Sequence, residues 1–250
     1  MRFIHTLGLA FLLFSSAVQA ASAQQTIRFD AIAEVEVRAD RTTHLIQVFD
    51  IERAAQNEAT QSRLKDEVAR RITQWEFSPA KLDGVAVDAR TFVRVGMEAL
   101  VNADDSFTVR ITRASTGPRA SHRVRPSYPQ SAVKAGAEGI VVVLASVDEQ
   151  GRVVSVDIEH SDVSPGSGTS KRLFEAGAVQ AAKLWRYDTE SVAGKGVAAR
   201  VRLPITYCLA QGSSWCAGRR GKQANPAAEQ DMVAIDPAVK LVSNVQEQGI

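Results

Sequence analysis

The two cysteines, Cys208 and Cys216, are the side chains of this sequence best suited to covalent chemistry. In an exported protein they can form a disulfide that closes a short loop, and the Gly-Ser-Ser run between them suits a tight loop. Two free thiols are one alternative. A redox-active pair is the other, although such pairs more often have the C-x-x-C spacing. The spacing therefore favours a structural disulfide, with an envelope redox protein as the alternative.

A second group with chemical potential is the run His160-Ser161-Asp162, which contains the three side-chain types of a hydrolase triad. Adjacent residues cannot supply triad geometry by themselves, so the run is better explained as a polar strand end. The sequence contains no H-E-x-x-H, G-x-S-x-G or phosphate-binding glycine motif. His44, His122 and His160 have no histidine or cysteine at the spacing of metal ligands. We therefore expect a non-enzymatic protein without a cofactor or metal.

Residues 1–23 have the pattern of a secretory signal peptide. Arg2 provides the positive charge, residues 7–18 are apolar, and small residues precede possible cleavage points after Ala20 and Ala23. The alternative is an uncleaved membrane anchor, but a span needs about 20 apolar residues and this run is shorter. The sequence therefore predicts export to the periplasm and no membrane span after cleavage.

The length and composition suit a soluble globular protein with one large or two small domains. The formal net charge is +2 and falls to +1 when Arg2 is removed with the signal, a balance that argues against a nucleic-acid binder. Residues 99–125 are predicted to be a linker with one strand. Residues 209–250 are predicted to form the disulfide loop and a mostly disordered tail, in which residues 232–245 could contain a short helix or an extended docking segment.

Hydrophobic periodicity in the first half predicts two strands, a helix and a further strand. Alternation over residues 31–38 and 44–49 indicates a hairpin. Leu64, Val68, Ile72 and Trp75 then recur at helical spacing, which places them on one helical face. Residues 85–95 complete the series as a strand.

The second half repeats this order. Residues 139–147 and 153–158 are strand-like, and Asp148-Glu149-Gln150-Gly151 between them is a hairpin turn signal. The next helix carries Phe174, Ala178, Ala181 and Trp185, and a last strand covers residues 198–207.

Both helices end in a tryptophan followed two positions later by an aromatic residue. Trp75-Glu76-Phe77 corresponds to Trp185-Arg186-Tyr187, and a glycine follows each tryptophan by nine positions, at Gly84 and Gly194. Core burial is the better explanation of the two tryptophans, since each closes an apolar helical stripe. With the shared element order, these matches indicate a degenerate tandem repeat.

Residues 126–208 contain an ordered series of motifs that resembles the TonB C-terminal domain family. The series is P-S-Y-P at 126–129, E-G at 138–139, V-L-A-S-V-D-E-Q-G at 143–151, W-R-Y at 185–187 and G-V at 196–197 before the last strand. Residues 28–98 keep W-E-F-S-P-A and D-G-V-A-V and resemble the second half of that domain. The resemblance implies an α+β fold of two tandem modules, each a small antiparallel sheet of about three strands with one or two helices on one face.

The resemblance also implies a function. The family transduces energy to outer-membrane receptors, and a receptor segment is added as a strand along the edge of its sheet. Carried over, the peptide-binding edge comprises the following residues: Tyr128, Pro129, Ala198, Ala199, Arg200, Val201, Arg202, Leu203, Ile205 and Tyr207.

A transducer of that type needs an inner-membrane helix and a long Pro-rich spacer. This chain has a signal with the pattern of a cleaved one, and its prolines are scattered. We therefore expect a periplasmic binding protein that engages a protein or peptide of the envelope, such as an outer-membrane receptor. The alternatives are a membrane-anchored energy transducer that keeps residues 4–18, the redox protein described above, and a homodimer whose sheet edges are buried.

Overall fold

The computed structural model describes residues 25–49, 58–101, 107–164, 168–209 and 232–245. In these ranges the chain has mixed α and β structure with antiparallel strand pairs and few helices, which confirms the α+β class. The predicted signal peptide, residues 1–23, lies outside the described residues. Within them, no helix has the length and apolar character needed to cross a membrane.

The first half forms an antiparallel sheet with a helix on one face. Its elements are β1 (Gln25–Val37), β2 (Thr43–Phe49), α1 (Glu58–Ile72), β3 (Phe77–Ser78), β4 (Ala80–Leu82), β5 (Val85–Val87), β6 (Ala89–Val101), β7 (Phe107–Gly117) and β8 (Arg119–His122). The long strands lie in the order β2-β1-β6-β7. Because side chains alternate along a strand, β1 points Ala31, Ala33, Val35 and Val37 into the first core.

The second half has the same arrangement. Its elements are α2 (Gln130–Lys134), β9 (Glu138–Val147), β10 (Val153–Ser164), α3 (Gly168–Lys183), β11 (Arg186–Asp188), β12 (Ser191–Val192), β13 (Lys195–Gly196) and β14 (Ala199–Tyr207). Two short strands follow, β15 (Val233–Ala234) and β16 (Lys240–Leu241). The sheet order is β10-β9-β14-β15, so β9 is central as β1 is in the first sheet. Val141, Val143, Ala145 and Val147 point from β9 into the second core.

Two strand pairs join the halves. The β12 strand extends the first sheet, since Ser191 pairs with Arg90 and Val192 with Ala89 at the start of β6. The β8 strand pairs with β11. Each half therefore contributes backbone hydrogen bonds to the other.

A C-terminal segment, residues 232–245, also crosses both halves, and we refer to it as the strap. Its β15 pairs with β14 of the second half, and its β16 pairs with β3 of the first half. Val239 and Val245 of the strap are buried in the first core. Residues 232–245, the part of the predicted tail that the structure describes, are thus an extended segment that docks on the protein.

Residues 99–125 are more regular than the predicted linker. The described residues of this range contain the end of β6 and all of β7 and β8. Along β7, Val109 and Ile111 point into the first core, and Arg110 between them is exposed. Arg110 forms an ion pair with Glu98, and Arg119 with Asp188. This stretch therefore belongs to the first sheet and to the junction between the halves.

Candidate binding edge on strand β14

The side chains of β14 alternate between the second core and the opposite face of the sheet. Ala199, Val201, Leu203, Ile205 and Tyr207 are buried in the core. The remaining residues, Arg200, Arg202, Pro204 and Thr206, point to the other face and are half-buried or exposed. Five of the ten predicted edge residues therefore have side chains that pack the core, which leaves only their main chain near the edge.

The outer edge of β14 presents main-chain groups at the even-numbered residues. The N–H of Ile235 donates to the carbonyl oxygen of Arg200 over 2.9 Å, so Arg200 faces away from β9. Along a strand of an antiparallel sheet, successive residues direct their main-chain N–H and C=O groups to opposite edges. The main-chain groups of Arg202, Pro204 and Thr206 therefore also point away from β9. Pro204 has no N–H to donate, and proline is tolerated within sheets at such edge positions. Between Leu203 and Tyr207, beyond the residues that β15 pairs, the outward donor is therefore the N–H of Thr206.

An aromatic cluster supports the carboxyl end of this edge. The rings of Phe174 and Tyr207 are stacked, with centroids 4.1 Å apart. Tyr128 meets both rings edge-on, at 5.4 Å from Phe174 and 5.7 Å from Tyr207. The Tyr128 hydroxyl donates to the carbonyl oxygen of Ala137, and the Tyr207 hydroxyl donates to that of Phe174 over 2.9 Å. Burial raises the pKa of both tyrosines, so neither ionises in the neutral range.

Tyr128 and Pro129 thus lie at the end of β14 where Tyr207 lies, as the predicted proximity of the Y-P turn to the last strand requires. Pro129 caps α2, with an extended backbone at φ −66 and ψ 132. The ring of Tyr128 is engaged by the core, which gives it a packing role. The opposite end of β14 begins at Ala199, so Ala198 immediately precedes the strand.

The strap covers part of the edge. In the register of the pair, Ala234 lies opposite Val201 and Val233 opposite Arg202. Within the described residues, the stretch of β14 from Leu203 to Tyr207 has no outer partner strand. The edge is therefore divided into a covered part near the start of β14 and an uncovered part near its end.

The corresponding edge of the first sheet is covered along its length. There β7 pairs with β6 from Phe92 to Val101, and β12 pairs with Arg90 and Ala89. In the described part of the chain, β14 therefore keeps an uncovered stretch, whereas the edge of β6 is occupied by β7 and β12.

A buried carboxylate that the sequence analysis missed lies at the junction of the halves and the strap. Glu190 is 1% exposed. One carboxylate oxygen accepts from the Thr91 hydroxyl over 2.6 Å, and the carboxylate also accepts the amides of Ala238 (3.0 Å) and Val239 (3.4 Å). Burial raises the pKa of Glu190, and these hydrogen bonds offset part of that increase. Glu190 therefore fastens the strap to both halves.

The raised pKa of Glu190 should make the stability of the protein depend on pH. Its pKa is higher in the folded than in the unfolded state, so its contribution to the free energy of unfolding is fully present below about pH 4.3, the unfolded pKa, and is lost as pH rises through the folded pKa. We expect the free energy of unfolding of the native protein, relative to Glu190→Gln, to fall over this rise in pH. Urea denaturation of both proteins at a series of pH values measures it. A difference that increases with pH would contradict the assignment.

Among the described residues, the run His160-Ser161-Asp162 does not form a catalytic triad by itself. Ser161 donates its hydroxyl hydrogen bond to Glu175, and His160 lies within β10, which extends to Ser164. Within the described residues no cluster of His, Cys, Asp and Glu could hold a metal. Cys208 follows β14 directly, while Cys216 lies outside the described residues, so their disulfide stays a prediction.

Comparison with known proteins identifies the second half. Residues 124–209 match the family described as Gram-negative bacterial TonB protein C-terminal. Protein TonB of Xanthomonas campestris pv. campestris (strain B100) is 33% identical over 84 residues, which are 34% of this chain and 34% of that protein. Protein TonB of Yersinia enterocolitica is 35% identical over 101 residues, which are 40% of this chain and 36% of that protein. This chain therefore matches about a third of the length of these relatives.

Among solved structures, the solution NMR structure of the Pseudomonas aeruginosa TonB CTD is 26% identical and covers 37% of this chain and 86% of that chain, with a TM-score of 0.30. The family match and the curated relatives agree on the same stretch of sequence. Residues 124–209 of this chain are a TonB C-terminal domain.

Proposed function

We propose that this chain is a non-enzymatic protein of the Gram-negative envelope that binds an extended segment of an outer-membrane receptor by strand addition to the outer edge of β14. One observation carries the proposal: β14 is nine residues long, yet β15 pairs with only Val201 and Arg202. An exposed strand edge is a template for pairing with another chain. Main-chain hydrogen bonds would supply affinity, and alternate side chains would supply selectivity.

Three side chains of β14 on the face opposite the second core, those of Arg200, Arg202 and Thr206, would influence which segments bind. Arg200 and Thr206 are exposed. Arg202 is held by Glu159, with its Nε 2.7 Å from a carboxylate oxygen, so it is oriented across the sheet. A segment that approaches the uncovered stretch would meet Thr206 first and would find no donor at Pro204.

Site-specific photocrosslinking in living cells tests the proposal. The photoreactive residue p-benzoylphenylalanine is placed at Thr206, and a control protein carries it at Leu184, which is 55% exposed and follows the end of α3. We expect position 206 to give adducts with the periplasmic segments of outer-membrane receptors, identified by mass spectrometry, and position 184 to give none. The absence of receptor adducts at 206, or an equal yield at 184, would refute the proposal.

A proline substitution predicts the dependence of binding on the main chain. Thr206→Pro removes the outward N–H of Thr206, whereas Thr206→Ala keeps it and removes only the side chain. Since one hydrogen bond contributes about 1 kcal/mol, we expect Thr206→Pro to weaken affinity for the crosslinked receptor segment about fivefold or more, and Thr206→Ala to change it little. Calorimetric titration measures both, and unchanged melting temperatures confirm that the variants fold. Equal weakening by both would argue for side-chain recognition instead.

We also infer that the two halves are tandem copies of one module. Val37 pairs with Ala89 as Val147 pairs with Ala199, and every matched position is 110 residues apart. The buried helical residues match at the same separation, since Leu64, Val68 and Ile72 correspond to Phe174, Ala178 and Ala182. Beyond the helix ends, the buried Trp75 corresponds to the half-buried Trp185. The hairpin turns Asp83-Gly84 and Ala193-Gly194 share positive φ values of 49° and 82° against 48° and 78°. In this view the first copy has become a support, since its edge is covered.

The way the protein is attached to the envelope defines the second candidate function. If residues 4–18 are kept as an anchor, the chain would be a membrane-anchored energy transducer of the kind that the resemblance to the TonB C-terminal domain family implies. N-terminal sequencing of the protein from the envelope distinguishes the two. A mature N-terminus after Ala20 or Ala23 supports a free periplasmic protein, whereas an intact Met1 supports the transducer.

A further inference from the structure

The strap already occupies the edge of β14 in the manner of an added strand. Val233 and Ala234 run antiparallel to β14, opposite Arg202 and Val201. The Ile235 N–H donates to the Arg200 carbonyl oxygen over 2.9 Å. This segment of the chain therefore provides a template for what the covered part of the edge accepts.

The position opposite Val201 is narrow because Gly117 lies against it. A Cβ built on Gly117 would lie 2.5 Å from the Cβ of Ala234, closer than any real contact. Gly117 ends β7, which is paired along β6, so it stays in place whether or not the strap does. The gap between β14 and Gly117 therefore admits only a small side chain.

The side chains on either side of Ala234 differ in a regular way. Met232 is half-buried and packs against the second core. Val233 and Ile235 are each 39% exposed and point away. The bound segment thus has an apolar residue, an outward residue, a small residue and a second outward residue in sequence, as the alternation of a strand requires.

The strap is held mainly by its later residues. The amides of Ala238 and Val239 donate to Glu190, and the Thr116 hydroxyl donates to the Val239 carbonyl oxygen. Val239 is fully buried in the first core. These contacts do not involve Val233 or Ala234, so they would keep residues 238–245 docked if β15 left β14. Since the anchor keeps β15 close, it competes at the high effective concentration of a tethered ligand.

We infer that the covered part of the edge is a binding site for an extended, antiparallel segment with a small residue opposite Val201, and that a partner must displace β15 to reach it. This inference rests on the proposed function and specifies its ligand and its regulation. A partner binds the covered part of the edge only in molecules whose β15 has left β14. Its apparent affinity is therefore the intrinsic affinity multiplied by the fraction of such molecules.

The test uses the full-length protein and a labelled, N-acetylated peptide with the sequence of residues 232–237. Ala234→Leu overfills the gap at Gly117 and should release β15, while Val233→Leu adds bulk on the exposed side and should not. Val233→Pro removes an N–H from β15 and provides a second way to release it. Hydrogen exchange at the Arg202 amide reports release, and fluorescence anisotropy reports peptide binding.

We expect Ala234→Leu and Val233→Pro to speed exchange at Arg202 about tenfold relative to Val233→Leu. We expect the Ala234→Leu protein to bind the peptide at least about tenfold more tightly than the Val233→Leu protein does. The same peptide with Ala234→Leu should bind about tenfold more weakly. Two results would overturn the inference. One is unchanged exchange at Arg202 in both releasing variants, and the other is equal affinity for the peptides with Ala and with Leu at position 234.

These results are separable from the proposed function. If the peptide binds as expected while Thr206 gives no receptor adducts, the inference about the edge stands and the receptor assignment fails. If receptor adducts form at Thr206 with the same yield in the Ala234→Leu and Val233→Leu proteins, the partner does not compete with β15 and the inference fails.

Discussion

Replacing Phe174 by Ala should reduce the free energy of unfolding by about 3–5 kcal/mol. Phe174 is fully buried in the second core, between α3 and the end of β14. Its ring stacks on Tyr207 and receives the edge of Tyr128, so truncation removes contacts from both aromatic partners and leaves a cavity. Urea denaturation followed by circular dichroism measures the loss.

A matched control is Leu184→Ala, one residue past the end of α3. Leu184 is 55% exposed, and its truncation should change stability by less than about 0.5 kcal/mol. Because Phe174 supports the carboxyl end of β14, binding at Thr206 should weaken in Phe174→Ala and not in Leu184→Ala. A cost below about 1 kcal/mol for Phe174→Ala would mean that the aromatic cluster does not stabilise this edge.

Gly151→Ala should cost about 3 kcal/mol or more, since two effects combine at that position. Gly151 has φ +77, a backbone conformation that costs a residue with a side chain about 1–2 kcal/mol. An added Cβ would also lie 1.8 Å from the carbonyl oxygen of Tyr187. The hairpin between β9 and β10 would then have to move away from β11. That movement would break the hydrogen bond in which the Tyr187 amide donates to the Gly151 carbonyl oxygen over 2.9 Å. Thermal unfolding and urea denaturation both report the effect.

Gly194→Ala separates the two effects. Gly194 has nearly the same φ, +78, and an added Cβ there meets nothing within 4 Å. We expect a cost of about 1–2 kcal/mol from the backbone alone. Arg41, at φ 72 in the turn between β1 and β2, shows that a residue with a side chain can adopt this backbone conformation. Similar costs for Gly151→Ala and Gly194→Ala would contradict the predicted clash.

The parts of the fold that the sequence predicted are those with strong periodicity. Leu64, Val68, Ile72 and Trp75 recur at helical spacing, and all four are buried. Alternation likewise located β9 and β14 to within one residue of the structure. These elements each bury one continuous face, which leaves a repeating signal in the sequence.

The strap and Glu190 left no such signal. β15 and β16 are two residues each, too short to show alternation, and they depend on β14 and β3 for their hydrogen bonds. Glu190 lies in a polar run, D-T-E-S, that has the composition of an exposed turn, and its burial results from Thr91 and the strap, both distant in sequence. The covered part of the edge could not be predicted because it depends on contacts between segments that have no local pattern.

The strap also determines when the first half can finish folding. Any chain emerges from its N-terminus, so residues 25–101 are available long before residues 232–245. Until then the first core lacks Val239 and Val245. The hydrogen bond that the Glu76 amide donates to the Ser243 hydroxyl, 167 residues later in the chain, is also missing. A contact of such long range forms slowly, and an incomplete core exposes apolar surface in the meantime. The first core therefore reaches its full packing only after the last residues of the chain have docked.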